Sequence, residues 1–140
     1  MYQVVMQNVA QQDIFIGVAA VADYSPVKKN PQKIKKSEQT LTLELIKNKD
    51  ILAEVASLPN APFCVGFAAE SEHLLEYAET KRKAKKLPLI VANLATSAMG
   101  SDENQVTLLD NDGIHPLANA TKLDVARAIL KHVATMLVAT

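Results

Sequence analysis

Residues 14–36 read IFIGVAAVADYSPVKKNPQKIKK. The apolar run through Ala22 has no polar alternation, which predicts a strand over 13–22 covered on both faces, as in a parallel sheet. It breaks at Asp23 into a loop over 24–39 that carries five lysines and two prolines within the quoted stretch. In open α/β sheets, ligands bind beyond the carboxyl ends of the strands, and lysines there suit phosphate groups. A block of like charge is also what a solvated loop looks like, so the run by itself leaves both readings open.

Working outward, Tyr2, Val5, Met6 and Val9 share one face of a helix over 2–11. No capping residue precedes it, and the expectation is a natural chain that continues upstream. Thr40–Ile46 alternates Leu41, Leu43 and Leu45 with polar residues, a half-exposed strand. Asn48 is read as the cap of a helix through Leu58, with Ile51, Leu52 and Val55 inward. Phe63–Phe67 and Pro88–Ala92 are read as two further buried strands. Between them Ser71 caps a helix over 72–86. Gln105–Leu109 and Ile114–Leu117 flank Asp110-Asn-Asp-Gly113, a hairpin turn signal. A final helix over 122–138 follows the capping-box pair Thr121 and Asp124. Strands alternating with helices predict one α/β domain. It is a Rossmann-like, mostly parallel sheet flanked by helices, with a flap at about 24–40 and a C-terminal β-hairpin. The strand ends at 22–24, 67–70 and 92–94 fall on one edge.

Composition narrows the partners. The 140 residues carry 15 basic and 15 acidic groups, so the formal net charge is zero. With aromatics at only 4%, nucleic acid is not an expected partner. No apolar stretch has membrane-span length and no secretory pattern opens the chain, which points to the cytoplasm. Cys64 is the single cysteine and reads as a small core residue. His73, His115 and His132 lie far apart in sequence without ligand spacing, and His132 reads as a helix-surface residue. No Walker A or GxGxxG motif occurs.

Ten of the 15 basic residues fall in two runs, Lys28–Lys36 and Lys81–Lys86. On the second helix, Leu74, Ala78, Lys81 and Lys85 share one inward stripe within roughly 60° of arc, whereas Arg82, Lys83 and Lys86 point elsewhere. Inward ammonium groups need an anion or a water-filled cleft. The alternative is that they snorkel past the sheet edge and favour the helix C-terminus. Gly66 permits close backbone approach. Phe67 either stacks on a base or fills the core. Asp23 is a nucleobase acceptor, a Mg²⁺ partner or a plain cap.

AAVADY, KIKK, KNKDI, VGFAAE, the lysine-rich helix end, LIVAN and SDEN, in this order, resemble the phosphopantothenate–cysteine ligase family. This is the CTP-dependent phosphopantothenoylcysteine synthetase of coenzyme A biosynthesis. In bacteria it is usually the C-terminal half of a fusion with a flavin-dependent phosphopantothenoylcysteine decarboxylase. The resemblance implies activation of 4′-phosphopantothenate by CTP as an acyl-cytidylate. Attack by the cysteine amine then forms the amide and releases CMP. It implies backbone contacts to the nucleotide from Gly17, Val18 and Ala19, and recognition of the cytidine end by Asp23. Lys33 would be the catalytic lysine on a mobile flap. The helix start at Lys49, Asp50, Ile51 and Leu52 would face the nucleotide, with Phe67, Lys81 and Lys85 around it. Mg²⁺ would accompany the triphosphate, with ligands left unassigned. FMN would belong to the fused decarboxylase and not to this chain. A homodimer is implied.

The family's ligase module begins with a glycine-rich segment that these 140 residues do not match, so residues 1–140 read as the N-terminally truncated C-terminal portion of that domain. The expectation is a piece that retains CTP binding without full turnover. Two other readings stand beside it: an inactive self-associating fragment, and a generic nucleotide-binding Rossmann-like module.

Overall fold

The computed structural model describes residues 1–28, 30–32, 40–70, 72–94 and 102–138. Its centre is the strand over Phe63–Glu70, in which Cys64, Val65, Gly66 and Ala68 are buried. In chain order the strands are β1 (Ile14–Gly17), β2 (Tyr24–Pro26), β3 (Leu45–Lys47), β4 (Phe63–Glu70) and β5 (Leu89–Leu94). They continue with β6 (Glu103–Asn104), β7 (Val106–Leu109), β8 (Ile114–Pro116) and β9 (Ala120–Thr121). The helices are α1 (Tyr2–Asn8), α2 (Ile51–Ala56), α3 (Leu74–Ala84) and α4 (Lys122–Val138).

The main sheet has the order β1-β4-β5-β7-β8. Strands β1, β4 and β5 run parallel, and the β7–β8 hairpin adds two antiparallel strands. Side chains alternate across β4 and β5 and make two cores. On one face Cys64, Ala68, Ile90, Ala92 and Leu109 pack with Ile51 and Val55 of α2, Ala78 of α3 and Leu87. Tyr2, Val5 and Met6 of α1 lean on the same core. On the other face Val65, Leu89, Val91, Val106 and Leu108 meet Val125, Ile129 and Val133 of α4. This three-layer, mostly parallel arrangement with a C-terminal hairpin is the architecture that the alternation of strand and helix patterns predicts. Among the described residues no helix is long and apolar enough to cross a membrane.

Several local expectations are corrected. The strand expected over 13–22 ends at Gly17, where its pairing with β4 runs out at Gly66. Because β1 is an edge strand, Ile14 and Ile16 remain exposed rather than covered on both faces. The strand expected over 40–46 shrinks to β3, which pairs with β2 in a separate two-stranded ribbon. Leu41, Leu43, Leu45 and Ile46 are therefore all exposed. Asn48 does not cap α2. Its side chain accepts from Ser25 Oγ at 2.8 Å and donates to the Ala22 carbonyl at 2.8 Å, fastening the ribbon's base. The cap is Asp50, whose carboxylate accepts the Ala53 N–H at 3.1 Å. Ser71 lies outside the described residues. Helix α3 follows His73, which has left-handed backbone (φ 47°) and makes no side-chain cap. The last helix is as expected, and Thr121 Oγ1 accepts the Asp124 N–H at 3.2 Å.

Arg82 was expected to point away from the core. It is one of two charged residues that are buried among the described residues, the other being Asp110. Its position four residues after buried Ala78 puts it on the same helical row. The guanidinium grips both carboxylate oxygens of Glu79, at 2.7 and 2.9 Å. It also donates to the Leu87 carbonyl at 3.2 Å and to Asn111 Oδ1 at 2.9 Å. This planar fork ties the end of α3 to the β7–β8 turn.

Arg82→Ala is expected to destabilise by about 2–3 kcal/mol, because it strands three acceptors; urea unfolding measures this. The Arg82 hydrogen bond holds the Glu79 carboxyl down from its ordinary 4.5 to about 2. A depressed carboxyl contributes stability that is complete above pH 4.5 and is lost as pH falls toward 2. Glu79→Gln should therefore flatten the loss of stability between those pH values, read from acid-titrated thermal melts.

Candidate functional site

Gly17 pairs with Gly66, and Gly66 pairs with Ile90, so two glycines sit side by side where β1 ends. The absence of side chains there admits neighbours. A Cβ on Gly66 would lie 2.7 Å from Leu87 Cδ1 and 3.0 Å from Leu52 Cδ2. A Cβ on Gly17 would lie 3.4 Å from Leu52 Cδ1, an ordinary contact. Leu52 comes from α2 and Leu87 from the turn after α3, so both helices close over the same strand.

That closure brings charges together. Lys85 Nζ lies 2.8 Å from Asp50 Oδ2, joining the end of α3 to the cap of α2. Burial pushes the Asp50 carboxyl up, but the Lys85 ammonium, the Ala53 N–H and Lys47 outweigh it and hold the group below its usual value. Lys81 Nζ lies 2.5 Å from Glu70 Oε1 at the carboxyl end of β4. Lys81 and Lys85 thus reach toward β4 and α2, where two carboxylates of the chain meet them, but Lys81 is exposed and the buried cation of this helix is Arg82. Lys49 is exposed and stands 4.3 Å over the Tyr2 ring. Its Nζ donates to Tyr2 Oη at 3.3 Å, while that hydroxyl donates to Glu54. The Tyr2 hydrogen bond and the Glu54 charge raise the Lys49 pKa.

Gly17, Asp50, Ile51, Leu52, Lys81 and Lys85 are gathered on the α2–α3 side of the sheet. Ile51 is buried in that core and presents no side chain to a ligand. Val18 and Ala19 follow β1 and are exposed. Asp23 is exposed, and its carbonyl accepts the Asn48 N–H at 2.7 Å. Phe67 is half-buried and packs with the α4 core, on the face opposite Lys81 and Lys85. Lys33 lies outside the described residues. An apolar groove of about 310 Å³ runs between α1 and β1, lined by Val4, Val5, Asn8, Val9, Gln12 and Phe15, away from the lysines.

Spacing missed one constellation. His115 and His132 are not apart: their ring centroids are 4.8 Å from each other. Each places Nε2 on Asp110, at 3.0 Å from Oδ1 and 2.7 Å from Oδ2 respectively. His132 is therefore half-buried rather than a surface residue. Burial pushes the Asp110 carboxyl up, but hydrogen bonds from His115, His132 and the N–H groups of Asp112 and Gly113 prevail and hold it at about 2. The only signal in the sequence was the turn that brings β8 back beside β7.

Residues 1–137 match the family described as DNA/pantothenate metabolism flavoprotein C-terminal domain, and the chain belongs to that family. It is 43% identical over 136 residues to the coenzyme A biosynthesis bifunctional protein CoaBC of Vibrio cholerae, covering 93% of this chain and 34% of that protein. It is 42% identical over 135 residues to the Escherichia coli protein of the same name, covering 91% of this chain and 33% of that one. The chain spans about a third of the length of these curated relatives. A crystal structure of the C-terminal domain of a CoaBC protein matches with a TM-score of 0.79 at 34% identity, over 99% of this chain and 62% of that one.

The two glycines should respond differently to a methyl group. Gly66→Ala forces buried Leu87 and Leu52 aside and is expected to cost about 1–3 kcal/mol. Gly17→Ala meets open contact distances and should stay within about 1 kcal/mol of the parent. Paired denaturant titrations compare them, and equal losses would mean that β4 yields more than its packing implies.

Proposed function

From its membership of this family, we propose that the chain supplies the nucleotide-binding part of a CTP-dependent ligase that joins 4′-phosphopantothenate to cysteine in coenzyme A biosynthesis. The observation that supports this reading is the pair Lys81 and Lys85, which reach the end of β4 and the start of α2 on the side of the sheet where the glycine-lined β1 ends. A triphosphate entering there replaces Glu70 and Asp50 as the partner of each ammonium. Gly17 and the segment Val18–Ala19 offer backbone beside it, and Asp23 offers a carboxylate to the cytosine amino group. Phe67, one residue past the level where β1 ends, faces the α4 core and would meet a ligand only around that open edge. Mg²⁺, carried by the triphosphate, neutralises charge on the leaving pyrophosphate. Lys33 acts from the flap on the reacting phosphate, where a positive charge favours the transition state over the bound ground state.

The exposed apolar residues Val27, Leu41, Leu43, Leu45 and Ile46, on and next to the β2–β3 ribbon, support a second element of the proposal, a homodimer formed through this segment. Apolar side chains concentrated in one exposed segment gain from burial against a second copy.

Calorimetric titration should show CTP–Mg²⁺ binding more tightly than ATP–Mg²⁺. Lys81→Ala and Lys85→Ala should each weaken CTP about tenfold, the loss of one charged contact. Lys83→Ala should leave affinity within about twofold, because Lys83 bonds back along its own helix to Glu79 instead of reaching α2 or the end of β4 as Lys85 and Lys81 do. Equal effects at all three lysines would reject the site. For the ribbon, light scattering should give a dimer mass that Leu43→Asp converts to a monomer mass.

A further inference from the structure

The Asp110–His115–His132 cluster plays no part in the proposed nucleotide site. Asp110 follows Leu109, which is level with Ile90 and Gly66 in the sheet, so it lies three strands across from Gly17, about 14 Å away. Its carboxylate meets His132 of α4.

We propose that Asp110, His115 and His132 form a binding site for one divalent ion of the zinc class. The donor set is two imidazoles and one carboxylate, the mixture that suits zinc and its late-transition neighbours. The donors come from just after β7, from β8 and from α4; β7 and α4 share one core and β8 pairs with β7, so the ion would fasten the hairpin to the helix.

Distances favour it. One donor atom from each residue lies within 4.8 Å of the other two. Tetrahedral zinc at about 2.0–2.2 Å from each ligand needs donor atoms about 3.3 Å apart. His115 and His132 now sit on different oxygens of Asp110, at 3.0 and 2.7 Å, so the widest separation among the three donors, up to 4.8 Å, closes toward that value by side-chain rotation about a carboxylate that both rings already share.

The support around the site is also in place. Asp110 Oδ1 accepts the N–H groups of Asp112 at 2.8 Å and Gly113 at 3.0 Å, which fixes the carboxylate and makes Oδ2, on the His132 side, the oxygen offered to the ion. The neighbouring positive charge, Arg82, is already matched by Glu79. Asp110 is buried, while the His115 side chain is 37% exposed, so an ion has a path from solvent and a fourth position open to water. Each ring now points Nε2 at an acceptor-only carboxylate, so that nitrogen carries the proton. Coordination requires the proton to leave Nε2, and a neutral ring takes one from solvent at Nδ1 in exchange.

Isothermal titration of the natural protein with ZnCl₂ tests the site, with MgCl₂ as the contrast because magnesium prefers oxygen ligands. One equivalent of zinc should bind and raise the melting temperature, a chelator should reverse the rise, and magnesium should do neither. His115→Gln and His132→Gln should each weaken zinc by more than about a hundredfold. His73→Gln, at an exposed histidine paired with Glu76, should leave it unchanged. In the unaltered protein, zinc should move the ring-nitrogen resonances of His115 and His132 and leave those of His73 in place, a readout that needs no variant to fold. Zinc affinity unchanged by both substitutions, or ring resonances that do not move, would overturn the proposal.

Discussion

The missing side chain at Gly66 governs how the layers meet. It sits in the middle of β4 with parallel neighbours on both sides, at the level where β1 ends. Because nothing projects there, Leu52 of α2 and Leu87 after α3 converge on one point of the sheet. Interiors are close-packed and resist displacement. The polar ends of the two helices are therefore set by that contact, and Asp50 and Lys85 meet as a consequence. The charges of the candidate site are placed by a packing constraint rather than by their own attraction.

Much of this architecture was legible in the sequence, because periodicity reports burial and burial follows the sheet. The runs at Phe63–Phe67 and Pro88–Ala92, the Asn-Asp-Gly turn and the long C-terminal helix all carried signals that tertiary packing reinforces. The errors fall where a strand lies at an edge or outside the main sheet. Ile14–Ala22 is apolar throughout, yet a run of apolar residues does not say how many neighbours a strand has. Leu41, Leu43 and Leu45 alternate as a half-buried strand does, yet they lie in or next to a ribbon apart from the main sheet and are exposed among the described residues. Ordered motifs carried the family. Arg82 escaped because a buried guanidinium is defined by its acceptors, and Leu87 and Asn111 come from other parts of the chain. The histidine cluster escaped for the same reason: His132 reaches Asp110 across 22 residues.

The two faces of the sheet are chemically unlike. The α2–α3 face gathers ammonium groups beside glycines, whereas the α4 face gathers two imidazoles on one buried carboxylate. Their donor types select different ligands. Lysines offer point charges that suit phosphate oxygens. Imidazoles with a carboxylate offer lone pairs that suit a borderline cation.

The lysine face also has a built-in threshold. Lys81 and Lys85 are held by Glu70 and Asp50, so an incoming anion must do more than neutralise them; it must exceed two carboxylates already in position. A singly charged ligand gains little from that exchange, while a polyphosphate spans both ammonium groups with several charges. Exposure helps the exchange, since ion pairs open to water are individually weak. Asp50 eases it further. Its Oδ1 holds the Ala53 N–H and its Oδ2 holds Lys85, on separate oxygens. Lys85 can therefore turn to a phosphate while the cap of α2 stays intact, and the packing over Gly66 that positions both residues is left undisturbed.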